Sequence, residues 1–401
     1  TTLVDDLLET KKNNYLLGLF VHDQRCGTAV VDVSTGEFRV GEIGFEGLAE
    51  FILTLAPAEI LLSAALQPAV EELLKGSPWI TLTRREEWMF HHDYAVETLN
   101  DHFGTLSLQG FGIEDLPLGI SAAGGVLAYL RENQKEKLIH INRLARAADE
   151  ERMIIDSSSR RNLELVLSLH SARKHGTLLG TIDQTRTPMG GRMLVQWISY
   201  PLLNLAAIGE RHDAVEELSR DHAGRSAMIE TLKQSGDLER LLARFATGRA
   251  NARDAIAVLH SLRTVEELTL HLQPMSASML AGACKQLNPL PELHDEIERA
   301  LVQDPPLSVT DGGFIRSGYN SRLDELREIA FSGKDWIARL QQQERERTGI
   351  SSLKVNYTKV FGYFIEVTNP NLSRVPPYYI RKQTLVNAER FITPELKEYE
   401  E

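Results

Sequence analysis

At 401 residues the chain is too long for a single hydrophobic core, so two to four domains are expected. Its formal net charge of −12 argues against a surface that binds nucleic acid throughout, although electrostatic attraction is local and one region can depart from the average. Two unpaired cysteines, no basic and apolar leader and no apolar run of about 18 residues argue against a disulfide framework, secretion and a membrane span, and indicate a cytoplasmic protein.

Strands and helices alternate in the first predicted domain, which covers residues 14–118. Short apolar runs over residues 14–21, 27–33 and 36–40, bounded by turn residues, predict a three-strand meander. The elements predicted after the meander are a helix over 48–55, a strand over 59–62, a helix over 69–74 and a strand over 79–83. Because strand–helix crossovers follow the meander, we predict a small α/β domain.

From residue 119 to 347 the hydrophobic pattern is helical. Asp156 is predicted to cap one helix, and Thr187 with Pro188 predicts the start of another, which Pro201 ends. The apolar face predicted for the first of these helices consists of Leu163, Val166, Leu167 and His170. Three more N-caps, each opening an amphipathic stretch, are predicted at Asn204, Asp237 and Asp254.

A long helix is predicted from Ser321 onward, and its last residues, 341–347, are polar nearly all round. Such a helix is typical of an arm that projects from the body of a protein. After it come strand-length runs rich in β-branched and aromatic residues, over 353–357, 362–368, 379–385 and 389–392. We therefore predict a small four-stranded domain, residues 348–392, inserted at the tip of the arm and followed by a returning helix over 393–401.

The four-stranded insert departs from the charge of the chain. Between Ser351 and Ile392 six side chains are basic and two are acidic, a local net charge of +4 on a chain of −12. Its two hairpin turns, near Thr358 and near Asn387, are expected at the same end of the sheet, pointing away from the arm. Basic and short polar side chains at strand ends neutralise and hydrogen-bond phosphates without reading sequence. The alternative is that they are edge-strand charges that resist aggregation.

The α/β domain lacks the residue pattern of a metal-dependent nuclease. Such an enzyme needs several carboxylates that converge on a divalent ion, whereas Asp23 and Asp32 both flank turns and the later strands add no acidic partner. Adjacent histidines point apart, so His91, His92 and Asp93 do not predict a metal site either. The sequence therefore favours a structural role for these residues.

No nucleotide-binding loop is predicted. Residues 332–335 read Ser-Gly-Lys-Asp, but Glu328 stands where the first glycine of a phosphate loop belongs, and Asp335 stands where serine or threonine is needed. Residues 190–192, Gly-Gly-Arg at a helix start, have the composition of an anion cradle. Close backbone packing is the better explanation of these glycines.

Several long stretches resemble the MutS mismatch-repair family. The most recognisable is GTLLGTIDQTRTPMGGRML at residues 176–194, which is similar to the central motif of the family's core domain. The other stretches, in the family's order, are DSSSRRNLEL (156–165), DGGFIRSGY with LDEL (311–319 and 323–326), KVNYTKVFGYFIEV (354–367) and YIRKQTLVNAERF (379–391). These motifs are long and lie in the family's order, so the resemblance extends over essentially the whole chain.

The resemblance implies how the predicted domains correspond to those of the family. It implies a linker over residues 1–13 from a mismatch-binding domain outside this chain, and a connector domain of ribonuclease H-like fold over 14–118. A helical core with long lever helices would occupy 119–347, a β clamp inserted at the lever tip 348–392, and the start of the returning lever helix 393–401. The fold class is thus multidomain, α/β plus mainly α.

The resemblance also implies function. The family's clamp grips the backbone of duplex DNA without sequence preference, and its connector relays signals between domains and contributes to contact with the MutL partner. The clamp residues expected at the DNA backbone are Lys354, Asn356, Thr358, Lys359, Arg381, Lys382, Asn387 and Arg390. We expect the chain to serve DNA mismatch repair in this way. The alternative is a structural module that docks MutL and has no affinity for DNA.

The mismatch-reading motif and the Walker ATPase domain of the family have no counterpart in this sequence. We therefore expect no enzymatic activity, no cofactor and no metal in this chain. ATP and magnesium are expected in the ATPase domain of the full-length protein, which is expected to be a homodimer. The sequence leaves open whether this chain by itself is a monomer.

Overall fold

The computed structural model describes residues 9–74, 80–133, 138–147, 152–169, 173–358 and 362–400. The chain divides into two units, Thr1–Ile315 and Arg316–Glu401, each with its own hydrophobic core. Among the described residues, none of the helices combines the length and the apolar character that crossing a membrane requires.

A six-stranded sheet forms the first part of Thr1–Ile315. Its strands are β1 (Tyr15–His22), β2 (Arg25–Asp32), β3 (Glu37–Gly44), β4 (Glu59–Ser63), β5 (Thr81–Arg85) and β6 (Ala145–Arg146). They lie in the order β5-β4-β1-β2-β3-β6, with β1, β2 and β3 antiparallel and the other neighbours parallel. The helices of this part are α1 (Leu48–Leu55), α2 (Gln67–Leu73), α3 (His92–Phe103) and α4 (Pro117–Asn133). The predicted meander and α/β character are confirmed.

The core of this α/β domain lies on both faces of the sheet, because successive side chains of each strand point to opposite faces. Leu16 on β1 packs in the cluster that contains α3 and α4, and its neighbour Leu17 packs on the opposite face with α1 and α2. Both leucines are fully buried. Covering both faces removes the apolar side chains of the strands from water, which stabilises the domain by roughly 25 cal/mol per Å² of apolar surface.

Helix α4 packs against the sheet and is therefore part of the α/β domain. Residues from 119 onward were predicted to belong to the helical region instead. Its backbone approaches β2 so closely that a Cβ on Gly27 would lie 1.9 Å from the carbonyl oxygen of Leu118. A Cβ on Gly124 would collide with Ala95 of α3 in the same way, at 2.3 Å. The predicted boundary at residue 118 is therefore wrong, because small residues that look like generic helix allow α4 to pack closely on the sheet.

Cys26 lies on β2 in the cluster with α1 and is fully buried, whereas Cys284 is half-buried. Burial raises the pKa of the Cys26 thiol to about 11, so that thiol stays protonated and shielded near neutral pH. We predict that Ellman's reagent titrates one thiol per native chain in mildly alkaline buffer and both thiols in denaturant. Two rapidly reacting thiols in the native protein would contradict the burial of Cys26.

Among the described residues, nine helices follow in Thr1–Ile315. They are α5 (Ser157–Asn162), α6 (Leu178–Ile182), α7 (Pro188–Ser199), α8 (Leu205–Arg220), α9 (His222–Leu232), α10 (Leu238–Ala246), α11 (Ala252–Leu272), α12 (Ser278–Gln286) and α13 (Pro291–Ala300). Helix α11 packs against α9, α10, α12 and α13. Two predicted caps are confirmed, because the side chains of Thr187 and Asn204 accept hydrogen bonds from amides of α7 and α8.

Helix α5 is shorter than predicted. Asp156 caps it as expected, by accepting a hydrogen bond from an amide in its first turn. The apolar face expected beyond the cap does not form, since Leu163 and Leu167 are exposed, and His170 lies outside the described residues. Glu164 has a φ of 45°, a left-handed backbone conformation that does not continue a helix.

Two of the predicted aspartate caps have other roles. Asn251 caps α11, and Asp254 completes the capping box by accepting a hydrogen bond from Asn251 N at 3.0 Å. Asp237 precedes α10 but makes no side-chain cap, because its carboxylate is bound to Arg192. A long-range ion pair thus takes the place of the local cap that the sequence predicted at Asp237.

The second unit, Arg316–Glu401, joins two helices to a four-stranded antiparallel sheet. Its elements are α14 (Ser321–Thr348), β7 (Lys354–Thr358), β8 (Gly362–Thr368), β9 (Ile380–Thr384), β10 (Ala388–Ile392) and α15 (Pro394–Glu400). The strands lie in the order β7-β8-β10-β9. The four predicted strands and the helix after residue 393 are confirmed. Short 3-10 turns in the two units lie at Phe45–Gly47, Glu87–Phe90, Gln109–Phe111, Val309–Asp311 and Asn369–Arg374.

The end of α14 is not the free polar arm that the sequence predicted. One face of the sheet packs on it through Val355, Ile365 and Phe391, which form a cluster with Leu340 of the helix. Glu344, in the middle of the polar run, is only 1% exposed. The polar run forms a buried contact because the sheet supplies hydrogen-bond donors to it.

Candidate nucleic-acid interface

One face of the four-stranded sheet is covered by α14, and the other carries half of the predicted DNA-contact residues. Successive side chains of a strand point to opposite faces, so Lys354, Asn356 and Thr358 share the face of β7 that is turned away from the helix. Arg390 lies on the same face of β10, since its neighbour Phe391 belongs to the core. We call this surface, with these four residues, the open face.

A row of four side chains crosses the open face. In the register of the sheet, Lys354 is opposite Glu366, Glu366 is opposite Arg390, and Arg390 is opposite Gln383. Arg390 Nε lies 3.3 Å from Glu366 Oε2, and Arg390 Nη1 donates to Gln383 Oε1 at 2.9 Å. The guanidinium also lies 4.3 Å from the centre of the Phe364 ring. Arg390 is thus held in place, with 22% of its side chain exposed.

The edge strand β9 carries two more of the predicted residues, Arg381 and Lys382. Arg381 Nη1 pairs with Glu389 Oε1 at 3.3 Å, so both acidic side chains between Ser351 and Ile392 have a cationic partner. Lys382 and Lys354 are exposed at opposite edges of the sheet, and neither forms an ion pair within the described residues. These two lysines are therefore the cations best placed to meet an anionic ligand.

The strand ends that the two hairpin turns connect lie at opposite ends of the sheet, not at the same end as predicted. At one end Thr358 pairs with Gly362, and the turn between them, which includes Lys359, lies outside the described residues. At the other end Asn369 N donates to Asn387 O at 3.1 Å, which places the β9–β10 turn beside the end of β8. The reason is that β10 runs antiparallel to β8 and begins where β8 ends.

Hydrogen bonds to α14 define which turn lies at the tip of this unit. Leu353 O accepts from Arg345 Nε at 2.7 Å, and Val355 N donates to Gln341 Oε1 at 2.9 Å. Strand β7 therefore runs back along the helix, away from its C-terminal end. The β9–β10 turn lies at the end where α14 finishes, and Val386 in that turn is 91% exposed.

The eight predicted residues are thus spread over the sheet and do not converge on one point. Lys354, Asn356, Thr358 and Arg390 are on the open face, Arg381 and Lys382 on the edge strand, Asn387 in the tip turn, and Lys359 outside the described residues. Sequence reasoning missed the row partners of Arg390, which are Glu366 and Gln383. Period-two alternation assigns these two side chains to a face, but their pairing with Arg390 depends on strand register.

Polar contacts around a buried carboxylate hold the sheet on α14, and no local pattern in the sequence predicts them. Tyr379 Oη donates to Glu344 Oε2 at 2.6 Å, Tyr378 Oη donates to the same oxygen at 3.1 Å, and Arg347 Nη1 pairs with Glu344 Oε1 at 2.8 Å. Burial and the neighbouring carboxylate of Glu344 raise the pKa of Tyr379 above its usual range. A buried carboxylate with three donors holds the sheet on the helix in one orientation.

A second polar contact joins the α/β domain to the helices within Thr1–Ile315. The segment Glu9–Asn13, which we call the strap, comes just before β1. Arg192 on α7 donates to Thr10 O at 2.9 Å, and Arg240 on α10 donates to Lys12 O at 2.7 Å. The strap is therefore hydrogen-bonded through its backbone to two helices of the helical region.

Arg192 is the centre of this contact. It is 3% exposed, and its guanidinium pairs with Asp237 at 2.7 Å and with Glu239 at 2.5 Å. Burial opposes the charge of Arg192, but the two acids outweigh it and keep the pKa of the guanidinium above its ordinary value. Arg192 belongs to the Gly-Gly-Arg segment that has the composition of an anion cradle. Its charge is neutralised by the protein's own carboxylates.

Lys11 of the strap binds the loop before α7. Its Nζ donates to Thr185 Oγ1 at 2.9 Å and lies 3.3 Å from Asp183, which Lys174 also contacts. Burial opposes the charge of Asp183, but hydrogen bonds from Lys174, Thr185 and Lys11 outweigh it and hold the pKa of that carboxyl below its usual range. A Cβ on Gly191 would lie 2.6 Å from Lys11 Cγ, so the glycine permits close packing, as the sequence indicated.

The residues considered for catalysis have structural partners. Asp32 is fully buried and accepts hydrogen bonds from Ser34 N at 2.9 Å, Ser34 Oγ at 2.7 Å and Asn14 N at 3.0 Å, so it stabilises the turn after β2. His92 Nδ1 lies 3.3 Å from Pro117 O. Residues 332–335 are part of α14, so their backbone is helical and does not form a phosphate loop.

Within the described part of the chain, one group of side chains has the composition of a metal site. It consists of His294, Asp295 and Glu298 on α13. Arg263 donates to His294 Nε2 at 3.0 Å and to Glu298 Oε1 at 2.6 Å. A guanidinium thus already occupies the position that a cation would need.

Comparison with known proteins identifies the family. The model of MutS domain II matches residues 14–142, and the model of MutS domain III matches residues 158–390. The DNA mismatch repair protein MutS of Salinibacter ruber is 45% identical over 401 residues, 99% of this chain and 44% of that protein. The protein of the same name from Symbiobacterium thermophilum is 46% identical over 407 residues, 100% of this chain and 46% of that protein.

The domain II match extends through α4, in agreement with the packing of that helix on the sheet. The chain spans 44% and 46% of the length of these two relatives. The domain III match covers more than half of the chain and includes α14 and the four-stranded sheet. The chain therefore belongs to the MutS family, in which it corresponds to domains II and III.

Proposed function

We propose that this chain is the part of a DNA mismatch-repair protein that contacts the backbone of duplex DNA and connects this contact to the other domains. The family of this chain and the name of its relatives support a role in DNA mismatch repair. The observation that supports the DNA contact is the charge of the sheet, where Lys354 and Lys382 are exposed and both acids between Ser351 and Ile392 are already paired. Exposed cations of this kind attract phosphates whatever the base sequence.

In this proposal α14 is a lever, the four-stranded sheet is a clamp, and the α/β domain is a connector of ribonuclease H-like fold. The strap supports the role of the connector as a relay, because Arg192 and Lys11 hold the start of this domain on the helices. Movement of either partner would displace the other. We place mismatch reading, ATP and magnesium in other domains of a homodimeric, cytoplasmic protein, and MutL binding on the connector. This chain itself would perform no catalysis.

Lys382→Glu is expected to weaken binding of a labelled duplex by about 3–10-fold at low salt, because it removes one phosphate contact and adds a repulsive charge. The slope of log K against log salt should become shallower by about 0.9, the value for one phosphate contact. Fluorescence anisotropy with two duplexes of unrelated sequence, at several salt concentrations, measures both quantities. Equal effects on the two duplexes are expected, since backbone contacts carry no sequence information.

Lys285→Glu is the matched control, because Lys285 is an exposed lysine on α12 in the other unit and the charge change is the same. Equal weakening by both substitutions would mean that net charge, not the clamp, determines binding. A wild-type chain that does not bind duplex at low salt but associates with MutL would favour the alternative function, a partner-docking module.

A further inference from the structure

Glu366 occupies the centre of the row on the open face, between the two cations that a phosphate would approach. Lys354 on β7 and Arg390 on β10 flank it, each directly opposite it in the register of the sheet. Neighbouring strands are about 4.8 Å apart, so the Cα atoms of Lys354 and Arg390 lie within about 5 Å of the Cα atom of Glu366. Arg390 Nε is 3.3 Å from the Glu366 carboxylate, and 28% of the Glu366 side chain is exposed. An acid therefore lies where an anionic ligand is expected.

We propose that Glu366 is an internal competitor for DNA phosphate, which holds Arg390 in the free protein and opposes a phosphate that approaches the open face. This inference rests on the proposed DNA contact and specifies how it is regulated. A carboxylate and a phosphate bind a guanidinium through the same geometry, so Arg390 exchanges one partner for the other when duplex binds. A phosphate contact made by Arg390 contributes less to the free energy of DNA binding than a contact made by a cation without an ion-pair partner. The reason is that the ion pair with Glu366 is lost when the contact forms.

Other contacts of Arg390 are compatible with such an exchange. Gln383 Oε1 accepts from Nη1, and the Phe364 ring stacks beneath the guanidinium, so both orient the side chain without neutralising it. Among the residues that the structure describes, only Glu366 neutralises its charge. Removing that one charge should leave Arg390 in place and free to bind a phosphate.

Glu366→Gln tests the proposal, since glutamine keeps the shape and an acceptor oxygen but not the charge. We expect duplex to bind about 3–10-fold more tightly at low salt, with the slope of log K against log salt steeper by about 0.9 because one more cation reaches a phosphate. The gain should disappear when Arg390→Gln is added, since the two side chains act as a pair. Circular dichroism and thermal unfolding of each variant check that the sheet is intact.

Glu389→Gln is the matched control. Glu389 is in the same strand as Arg390, is opposite Val367 on the face toward α14, and pairs with Arg381. The substitution changes the charge of the clamp equally but on the other face, so a smaller gain is expected. Equal gains in Glu366→Gln and Glu389→Gln would overturn the proposal in favour of net charge alone.

The failure of this inference is distinguishable from that of the proposed function. A wild-type chain that binds duplex, with Glu366→Gln binding no more tightly, overturns the competitor role and leaves the DNA contact standing. A gain that persists in the double variant with Arg390→Gln overturns the exchange between carboxylate and phosphate. Absence of binding by both wild type and Glu366→Gln at low salt overturns both proposals.

Discussion

Arg192→Met is expected to lower the free energy of unfolding of this chain by about 3 kcal/mol, because it breaks a buried ion pair without replacing the charge. Arg192 is 3% exposed and serves Asp237, Glu239 and the carbonyl of Thr10 together. After its removal Arg240, 3.8 Å away, would be the one cation in the described part of the chain that remains beside Asp237. This expected loss of unfolding free energy is at the low end for buried ion pairs, since 47% of the Glu239 side chain is exposed and screened by water.

Urea unfolding followed by circular dichroism measures the loss, and hydrogen exchange of residues 9–13 shows whether the strap detaches. Arg263→Met is the control, because Arg263 and Glu298 form a pair whose side chains are 44% and 43% exposed. An exposed pair contributes little to stability, so a much smaller change is expected there. Equal losses in the two variants, or unchanged protection of the strap in Arg192→Met, would refute the role given to Arg192.

Glu344→Ala is expected to destabilise the four-stranded sheet by about 3 kcal/mol, because the buried hydroxyl group of Tyr379 loses its acceptor and a cavity replaces the side chain. Tyr379 is 7% exposed and its hydroxyl group donates to this carboxylate at 2.6 Å, so the substitution leaves a buried donor without this acceptor. The pair with Arg347 adds little to the estimate, since 54% of that arginine side chain is exposed. The loss should fall on the sheet and the last turns of α14.

Hydrogen exchange of residues 362–392 should therefore rise in Glu344→Ala, while exchange in β1–β5 stays as in the wild type. Glu346→Ala is the control on the same helix, because Glu346 is exposed and accepts a hydrogen bond from Gln342 at 3.2 Å. We expect no measurable change in the sheet of that variant. Faster exchange in both variants would mean that helix propensity, not the buried carboxylate, stabilises the sheet on α14.

The sequence by itself determined the features that depend on neighbouring residues. Thr187 and Asn204 cap helices as predicted, since a cap needs only amides two or three positions further on. The strands after residue 350 were predicted nearly to the residue, because alternation and turn residues are local signals. The excess of basic residues there was also visible in composition. The motifs around 176–194 and 354–367 led to the family, which the comparisons then showed.

Only the tertiary structure decided which residues meet across long stretches of chain. Asp237 was expected to cap a helix and instead binds Arg192, 45 residues earlier. The hairpin turns were expected together and lie apart, because strand order and register are set by the whole sheet. Glu344 and Glu346 are two residues apart in one polar run, yet the first is 1% exposed and the second is exposed. The two side chains are chemically identical, and their burial differs because the sheet packs on one of them and not on the other. No local sequence pattern predicts that difference.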